Sequence, residues 1–389
     1  MPIYNNTYGI KIYEAGNERS KEMILYCGLV LVTCCFAYPI VTRYMWQTSV
    51  RTRLIPYSYS KQQMLNGVCF AVLFLLLFAV SAFRYGVGID YNQYRNNFDA
   101  IFYGDFVVTE MGYNALVKLV YWLAGSRNYK IIFAIFSFVT VAVFLRAMAK
   151  QSEKFFISFY LFMTLGLYFT SFNIMRYYFT LGFALLLMKD VNDKKYLKFL
   201  LLTLLLSLFH KSVLIIIPIY FLANLKWKRW QLAALALLAS TGLFFDELYM
   251  KLFVAIYSSY EGTEFLNDTG GSLIGIIRCV AVIALALIYY EDAIKDNPKN
   301  QFYLRLNYFA LLLYVFFTFV PMLSRLGYYM TVSQILLIPS ILVRIKAVKQ
   351  RRFFTAATIC FGIGYFVLFL MQADDPSIML LPYETWLLK

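Results

Sequence analysis

The sequence predicts an all-α, polytopic integral membrane protein with about 11–13 transmembrane or re-entrant helices and an outer-face cavity. Hydrophobic residues make up 61% of the chain and charged residues only 15%, whereas a soluble globular protein carries about 25% charged residues. The apolar residues form runs close to the roughly 20 residues that a helix needs to cross a bilayer. The short loops between these runs are rich in Lys and Arg, which is the charge pattern of multi-pass membrane proteins.

The apolar runs organise the chain from end to end. The clearest runs are 23–41, 65–82, 130–148, 155–171, 173–188, 230–248, 272–290, 302–320, 327–343 and 353–371. We therefore expect a polar N-terminal extension over 1–22, one transmembrane helical domain over 23–371 and a C-terminal tail over 372–389. The two long loops expected on the outer face are 83–129 and 249–271.

The basic balance of the chain is explained by membrane topology. A formal charge of +15 would raise nucleic acid as a partner for a soluble protein. Here the cations lie in short loops, which the positive-inside rule places in the cytoplasm, and we expect no nucleic-acid partner. Two of these loops carry Lys189, Lys194, Lys195 and Lys198, and Arg344, Lys346, Lys349, Arg351 and Arg352.

Two stretches are too short for the simple alternation of spans. The amphipathic stretch 110–124 has about four helical turns, which favours entry into the outer leaflet and return over a full crossing. The stretch 196–223 must begin and end in the cytoplasm, yet it is too short for two full spans. Because His210, Lys211 and Ser212 interrupt it, we expect a hairpin of two short helices with its polar tip at His210.

The segment 83–113, FRYGVGIDYNQYRNNFDAIFYGDFVVTEMGY, is the candidate active-site loop. Its charges and glycines make it unfit to span a lipid core, so it lies in water or in a water-filled hollow of the protein. Aromatic rings beside carboxylates and guanidinium groups suit a substrate that contains sugar and phosphate. Its candidate substrate-binding residues are Arg84, Tyr94 and Tyr113, although an aromatic belt at the membrane interface also explains the tyrosines.

Four ionisable residues in or beside apolar runs are expected on the same outer side. They are Arg176 at the start of a helix, His210, Arg278 inside a helix, and Arg325 in the turn PMLSRLGYY. Guanidinium groups bind phosphate oxygens in pairs, so the three arginines can hold a pyrophosphate and stabilise it as a leaving group. The alternative is that they extend to lipid headgroups or pair with acidic residues for structure.

Three residues compete for the role of general base. The ordinary pKa of histidine lies near neutral pH, which makes His210 a candidate, although a lone histidine is more often a structural donor. Asp90 and Glu110 are the carboxylate candidates. Asp90 follows two glycines that allow a tight turn, and its alternative role is to bond its own backbone there.

The order of these motifs resembles the EpsG family of bacterial polysaccharide polymerases, the Wzy-type enzymes. The resemblance is carried by FRYGVGIDYNQY, TEMGYNAL, FNIMRYYFTLGFALLL, LFHKSVLIIIPIYF, SRLGYYM and LPYETW, which together extend from about residue 80 to 380. Each motif alone is weak, and the ordered set is specific. The chain departs from the family in its polar N-terminal extension. The resemblance implies that Asp90, Glu110, Arg176, His210 and Arg325 are site residues, whereas Arg84 and Arg278 are added from their positions.

The implied activity is glycosyl transfer on the outer face of the bacterial inner membrane. A growing glycan would pass from undecaprenyl pyrophosphate onto a lipid-linked oligosaccharide repeat unit. We expect inversion at the anomeric carbon, because the acceptor attacks opposite a good leaving group. We expect no metal and no cofactor, since no carboxylate group has the pattern of a metal site. Expected partners are the lipid-linked oligosaccharide and membrane lipids, and the sequence leaves open a chain-length regulator.

Three other functions fit parts of the same sequence. A flippase for lipid-linked oligosaccharides would also need cationic residues and a hollow, but its charges should run through the whole depth and its halves should be related. A glycan ligase of the O-antigen type shares the chemistry and differs in its acceptor. An acyltransferase that modifies surface glycans would use a cytoplasmic donor, with histidines nearer that face.

Overall fold

A computed structural model of the protein describes residues 23–42, 60–256, 272–320, 323–376 and 378–388. Within these ranges every regular element is a helix, and the one extended pairing is an isolated antiparallel bridge between Arg84 and Thr385. The predicted all-α fold class is therefore confirmed. The N-terminal extension 1–22 and most of the predicted outer loop 249–271 lie outside the described residues.

Most of the helices follow the predicted apolar runs, whereas the run 155–171 breaks at Gly166, which has a positive φ of 73°. In chain order they are α1 Met23–Ala37, α2 Lys61–Ala82, α3 Tyr91–Tyr103, α4 Met111–Ala124, α5 Tyr129–Gln151, α6 Phe155–Thr164, α7 Leu167–Thr170, α8 Met175–Asn192, α9 Tyr196–Ser207, α10 Ile216–Asn224, α11 Arg229–Ser240, α12 Asp246–Ile256, α13 Leu273–Ile288, α14 Pro298–Phe316, α15 Leu323–Thr331, α16 Gln334–Arg344 and α17 Val348–Met371. Capping explains some of these boundaries. The Ser60 side chain accepts a hydrogen bond from the backbone N–H of Gln63, whose own side chain accepts from the backbone of Ser60.

The chain is a multi-pass membrane protein by the length and composition of its helices. Among the described residues, four helices are long and apolar enough to cross a membrane: α2, α5, α17 and the stretch Arg325–Arg344 formed by α15 and α16. A bent pair, α11 and α12, qualifies when its halves are taken together. Five shorter apolar helices add to this set, including α1, α6 and α13.

The prediction of one continuous span over 230–248 is wrong. The chain bends by 95° within this run, between α11 and α12. A short 3-10 turn, Thr241–Leu243, ends α11, and Asp246 and Glu247 then begin α12, where acidic side chains favour a helix start. The sequence carries signals of this break, since Ser240, Thr241 and Gly242 interrupt the apolar run before the two acidic residues.

The predicted hairpin of two short helices over 196–223 is confirmed. The helices α9 and α10 are separated by a break at 208–210 and a 3-10 turn, Lys211–Ile215. The Asn224 amide donates to the Tyr196 hydroxyl at 2.8 Å, so the end of α10 returns to the start of α9. The rings of Phe199 and Tyr220 stack between the two helices with centroids 6.0 Å apart.

The chain forms two compact units. The first unit contains Met1–Lys150, Lys154–Phe179 and Thr355–Lys389, and the second contains Gln151–Glu153 and Thr180–Phe354. In the first unit an aromatic cluster packs α3 and α4 onto α5. Tyr91 stacks on Phe133 with centroids 4.6 Å apart, and Phe98 lies against both Phe133 and Tyr113. In the second unit the Gln334 side-chain amide donates to Asn307 Oδ1 at 2.7 Å and so joins α16 to α14.

Candidate functional site

The loop between α2 and α3 holds the first group of candidate residues. No residue from 83 to 90 is helical, and Gly86 and Gly88 have positive φ values of 69° and 99°. A Cβ atom on Gly88 would lie 2.8 Å from the Phe172 carbonyl oxygen and 2.8 Å from Asn173 Oδ1. Only glycine combines this backbone conformation with so close an approach. The loop therefore lies directly on the turn that precedes α8.

Arg84 is the second residue of this loop, and its side chain is buried. It is 2% exposed, and its guanidinium lies 5.1 Å from the ring centroids of both Phe133 and Phe172. It donates to the Phe172 carbonyl at 3.4 Å and also to the Ser81 carbonyl. Burial lowers the pKa of Arg84 to about 10, so the guanidinium stays protonated at neutral pH. Arg84 thus joins the loop to the turn that precedes α8. Its predicted contact with substrate stays a prediction.

Asp90 and Tyr94 lie one turn apart at the start of α3. Asp90 occupies the N-cap position and makes no side-chain capping bond, while Tyr94 is only 5% exposed. Burial raises the pKa of Tyr94, the nearby Arg176 guanidinium opposes this shift, and the Asp90 carboxylate adds to it. The side chain of Tyr94 also bonds to Arg176. The structure therefore brings Asp90, Tyr94 and Arg176 together.

Glu110 and Arg176 form an ion pair that completes this cluster. The pair joins Arg176 Nη1 to Glu110 Oε2, and its side chains are only 19% and 12% exposed. The Arg176 guanidinium lies over the Tyr113 ring, 5.0 Å from the centroid. Glu110 precedes α4 as its N-cap residue, and Arg176 is the second residue of α8. We call Asp90, Tyr94, Glu110, Tyr113 and Arg176 the Arg176 cluster.

Several buried polar atoms around the Arg176 cluster have no hydrogen-bond partner in the described structure. They are the Tyr113 hydroxyl, Arg176 Nε and Asn173 Oδ1. Tyr113 is 0% exposed and Asn173 is 6% exposed, so bulk water does not readily satisfy them. Buried polar groups in native proteins are nearly always bonded, and the exceptions gather where a ligand, an ion or ordered water binds. These atoms are therefore candidates for ligand contacts.

Asn173 is a further candidate residue that the sequence did not single out. It lies three residues before Arg176 in the motif FNIMRYY, in the turn that precedes α8. The available signal was a polar side chain within an apolar and aromatic motif, where a buried polar group needs a partner.

His210 belongs to the second unit, at the tip of the α9–α10 hairpin. It is half-buried and takes the N-cap position of the 3-10 turn that follows it. Two residues later, Ser212 Oγ lies 3.0 Å from the Tyr329 hydroxyl, which also lies 2.9 Å from Thr180 Oγ1. The Tyr220 hydroxyl donates to the Tyr329 carbonyl at 2.6 Å. The His-Lys-Ser motif is thus fixed to the motif SRLGYYM on α15.

Arg278 and Arg325 also belong to the second unit. Arg278 is 6% exposed, and its Nη2 donates to Thr331 Oγ1 on α15 at 3.2 Å. Its guanidinium lies 5.9 Å from the centroid of the Tyr328 ring. Arg325 is half-buried and lies one helical turn before Tyr329. The predicted convergence of His210, Arg278 and Arg325 with the outer loop stays a prediction.

The prediction that Arg325 lies in a turn is wrong. The residues around it are helical and form α15, Leu323–Thr331. The glycine of this motif does not break the helix. A Cβ on Gly327 would overlap the Tyr314 ring and hydroxyl, so the absence of a side chain lets α15 and α14 approach closely.

The described residues include no group of three or more His, Cys, Asp or Glu side chains that could hold a metal ion. Within the Arg176 cluster, Glu110 is instead paired with the Arg176 guanidinium, which lies over the Tyr113 ring. A guanidinium in such a place can bind a phosphate oxygen in competition with the carboxylate.

The EpsG family model matches residues 67–385, which include every candidate residue named above. The matched range contains five of the six motifs that carry the resemblance in full, and it ends at Thr385, one residue before the end of the sixth motif, LPYETW. No curated protein and no solved structure matches the chain.

Proposed function

Because the chain belongs to the EpsG family, which is linked to polysaccharide biosynthesis, we propose that it is a glycan polymerase of the bacterial inner membrane. It extends a glycan carried on undecaprenyl pyrophosphate by transferring it to a lipid-linked oligosaccharide repeat unit on the outer face. The observation that carries this proposal is the Arg176 cluster. A carboxylate, a guanidinium and buried tyrosines lie together there with unsatisfied polar atoms beside them.

Arg176 is the proposed ligand of the departing pyrophosphate. Its Nη1 is taken by Glu110, but its Nε has no partner in the described structure. An N–H group of a buried guanidinium makes a short, charge-assisted bond to a phosphate oxygen. Such a bond becomes stronger as negative charge develops on the leaving oxygen, so it stabilises the transition state more than the bound substrate.

The proposed reaction is a direct displacement. The acceptor hydroxyl oxygen attacks the anomeric carbon of the donor and forms the new glycosidic bond. The bond from that carbon to the pyrophosphate oxygen breaks, and undecaprenyl pyrophosphate leaves with the electron pair. The hydroxyl proton passes to Asp90, Glu110 or His210. Attack opposite the leaving group inverts the configuration at the anomeric carbon.

Glu110 links the two halves of this reaction. A phosphate that binds Arg176 competes with Glu110 for the same guanidinium charge. When the pyrophosphate occupies Arg176, the Glu110 carboxylate loses part of its stabilising partner and becomes a better proton acceptor. The donor thereby prepares the base that the acceptor needs, and Asp90, one turn before Tyr94, is the second carboxylate within the cluster.

The remaining candidates act as binding residues in this proposal. The side chains of Tyr113 and Tyr94 lie beside Arg176, and their hydroxyl groups are the proposed contacts to the substrate. Arg278 and Arg325 remain proposed phosphate ligands, and each is tested by substitution in the same assay. No step requires a divalent ion.

The test is elongation by the purified protein. Lipid-linked repeat units are incubated with the protein in detergent, and the products are separated by length. We expect a ladder of longer glycans that is unchanged by a metal chelator. An Arg176→Ala variant should give no ladder. A full ladder from this variant would remove Arg176 from the mechanism, and loss of the ladder with chelator would contradict metal independence.

A deletion strain separates this function from its rivals. If the gene encodes a polymerase, its loss leaves single repeat units displayed on the surface without long chains. Loss of a flippase traps single units in the cytoplasm, and loss of a ligase leaves long chains on the lipid carrier. Complementation with Arg176→Ala then shows whether the same cluster is required in the cell.

A further inference from the structure

We propose that the C-terminal segment 378–388 is a positioning strap that holds the loop 83–90 against the start of α8. We call this segment the C-terminal strap. In its effect on elongation, this inference rests on the proposed function. In its effect on the position of the loop, it stands on the contacts alone.

The strap pairs with the loop through backbone groups. Arg84 and Thr385 form the antiparallel bridge noted above, so the two segments run side by side. Three backbone hydrogen bonds join them: Tyr85 N–H to the Glu384 carbonyl at 2.8 Å, Trp386 N–H to the Phe83 carbonyl at 3.2 Å, and Gly88 N–H to the Met379 carbonyl at 2.7 Å. Nearly 300 residues separate these partners in sequence, so the contact orders both segments at once.

Side chains of the strap strengthen this pairing. Thr385 Oγ1 donates to the Phe83 carbonyl at 2.8 Å. The Trp386 ring meets the Phe83 ring edge to face with centroids 5.1 Å apart, and Lys130 Nζ lies 4.5 Å from the Trp386 ring centroid. The Tyr383 hydroxyl donates to the Val80 carbonyl in the last turn of α2 at 2.9 Å.

Gly88 is held from two sides. Its N–H donates to the strap at Met379, while its Cα faces the Phe172 carbonyl and Asn173 at the start of α8. The loop therefore lies between the strap and the turn that carries Arg176 four residues after Phe172. Because the loop is not helical, these contacts and those of Arg84 are what fix its path.

The held loop leads directly into the Arg176 cluster. Asp90 follows Gly88 by two residues and is the N-cap residue of α3, where its carboxylate raises the pKa of Tyr94. A shift of about 1 Å in a reacting group can cost a hundredfold in rate. Residues of the strap are not members of the Arg176 cluster, so a strap variant tests position without removing a group that does chemistry.

The first measurement reports whether the loop stays in place. Val87 lies between the two glycines of the loop and is 0% exposed. In a background with the six native cysteines replaced, a Val87→Cys variant is treated in detergent with a maleimide, and fully denatured protein gives the maximum labelling. We expect slow labelling with an intact strap, and labelling at least about tenfold faster with Thr385→Val or Trp386→Ala. Thr385→Ser keeps the hydroxyl and should protect the introduced cysteine as the native threonine does.

The second measurement reports whether the position matters for elongation. We expect Thr385→Val to lower kcat by about fivefold with little change in KM, because one hydrogen bond that orders the loop is lost. Thr385→Ser should restore kcat. Restored activity with serine distinguishes this role from a general loss of fold.

Three outcomes would overturn the inference. One is unchanged labelling of the introduced cysteine in both strap variants. Another is faster labelling with elongation at the native rate, since the loop would then be loose without consequence. The third is equal damage from Thr385→Val and Thr385→Ser. If the native protein makes no ladder at all, the proposed function fails, while the labelling experiment still decides whether the strap holds the loop.

Discussion

The two units each contain a partly buried arginine–glutamate pair, and the surroundings of the two pairs differ. In the first unit Arg176 pairs with Glu110, with side-chain exposures of 19% and 12%. In the second unit Arg344 pairs with Glu153, with exposures of 30% and 27%. Both pairs join residues that are far apart in sequence. By burial alone, they would be given the same structural role.

The Arg344–Glu153 pair is part of a satisfied network. Arg344 Nη1 donates to both the carbonyl and the hydroxyl of Ser340, at 2.9 and 2.7 Å. Ser340 Oγ lies 2.9 Å from Glu153 Oε1 and 2.9 Å from Asn300 Oδ1. None of these four side chains has a buried polar atom without a partner in the described structure. Such a network stabilises the ends of helices and leaves nothing for a ligand to contact.

The Arg176–Glu110 pair instead has aromatic neighbours and, beside it, polar atoms without hydrogen-bond partners in the described structure. Tyr113 and Tyr94 surround the guanidinium, while Arg176 Nε, the Tyr113 hydroxyl and Asn173 Oδ1 lack partners in the described structure. Leaving a buried polar atom unbonded costs about 1–3 kcal/mol. The comparison teaches that burial alone does not distinguish the two pairs. The unsatisfied groups around Arg176 do, and they make this pair the candidate site.

The largest effect expected from this comparison is that of neutralising each glutamate. Glu110→Gln removes a proposed proton acceptor and the partner of Arg176, so elongation should fall by about a thousandfold. Glu153→Gln should lower the thermal stability of the purified protein and leave elongation per folded molecule within about twofold. The measurements are ladder formation normalised to folded protein, and Tm in detergent.

Equal effects of the two substitutions would break the comparison. If Glu153→Gln abolished elongation in folded protein, the satisfied network would also be functional. If Glu110→Gln kept the full rate, the unsatisfied atoms around Arg176 would carry no chemistry, and the proposal would lose its central observation.

The sequence alone was enough to predict the fold class, the hairpin at 196–223 and five members of one cluster. Hydrophobic runs and basic loops report membrane insertion directly, because lipid imposes length and charge rules on every span. The motifs placed Asp90, Tyr94, Glu110, Tyr113 and Arg176 among the candidates, and the structure brings these five together within the first unit.

Two features depend on packing and could not be read from the sequence. The motif SRLGYYM forms a helix, α15, in which Gly327 allows a close approach to Tyr314 of α14. The burial of Arg84 depends on Phe133 and Phe172, which lie far away in the chain. The missed Asn173 shows the same limit, since its lack of a partner is visible only when its neighbours are in place.

The next largest effect concerns His210, which extends the comparison to the second unit. As a general base, His210 should raise the rate of elongation about a hundredfold, so His210→Asn should lower that rate by the same factor. A histidine base ordinarily titrates near pH 6.5, so the native rate should fall as the pH drops below that value. The measurement is the rate of elongation between about pH 5 and 8, on the native protein and on Ser212→Ala as a neighbouring control.

If the rate of elongation stays constant down to about pH 5, a carboxylate accepts the proton of the acceptor hydroxyl. In that case His210→Asn should leave the pH profile unchanged. Ser212→Ala breaks the contact with Tyr329 but keeps His210, so a loss shared by both variants would indicate that the hairpin tip is needed for structure.

A smaller effect is expected at the glycines of the loop. Gly86 and Gly88 both have positive φ, but a Cβ on Gly86 meets open space, whereas a Cβ on Gly88 meets the turn before α8. Both alanine variants suffer backbone strain, and only Gly88→Ala must also move the loop. We expect Gly88→Ala to lower elongation about twentyfold and Gly86→Ala about threefold, with protein levels measured in parallel. Equal losses would show that the close approach to α8 does not position Asp90.

The smallest effect separates a tyrosine of the Arg176 cluster from a tyrosine of the second unit whose hydroxyl is already bonded. The Tyr303 hydroxyl donates to Gln151 Oε1 at 3.3 Å, whereas the Tyr113 hydroxyl is buried without a partner in the described structure. Tyr303→Phe should therefore lower the free energy of unfolding by about 1 kcal/mol and leave elongation unchanged.

Tyr113→Phe removes a buried hydroxyl that has no hydrogen-bond partner in the described structure, so the free energy of unfolding should stay the same or rise slightly. If the substrate supplies the missing partner, elongation should fall about fivefold with Tyr113→Phe. A loss of stability without a loss of rate would place Tyr113 with Tyr303, and the unsatisfied hydroxyl would no longer mark a ligand contact.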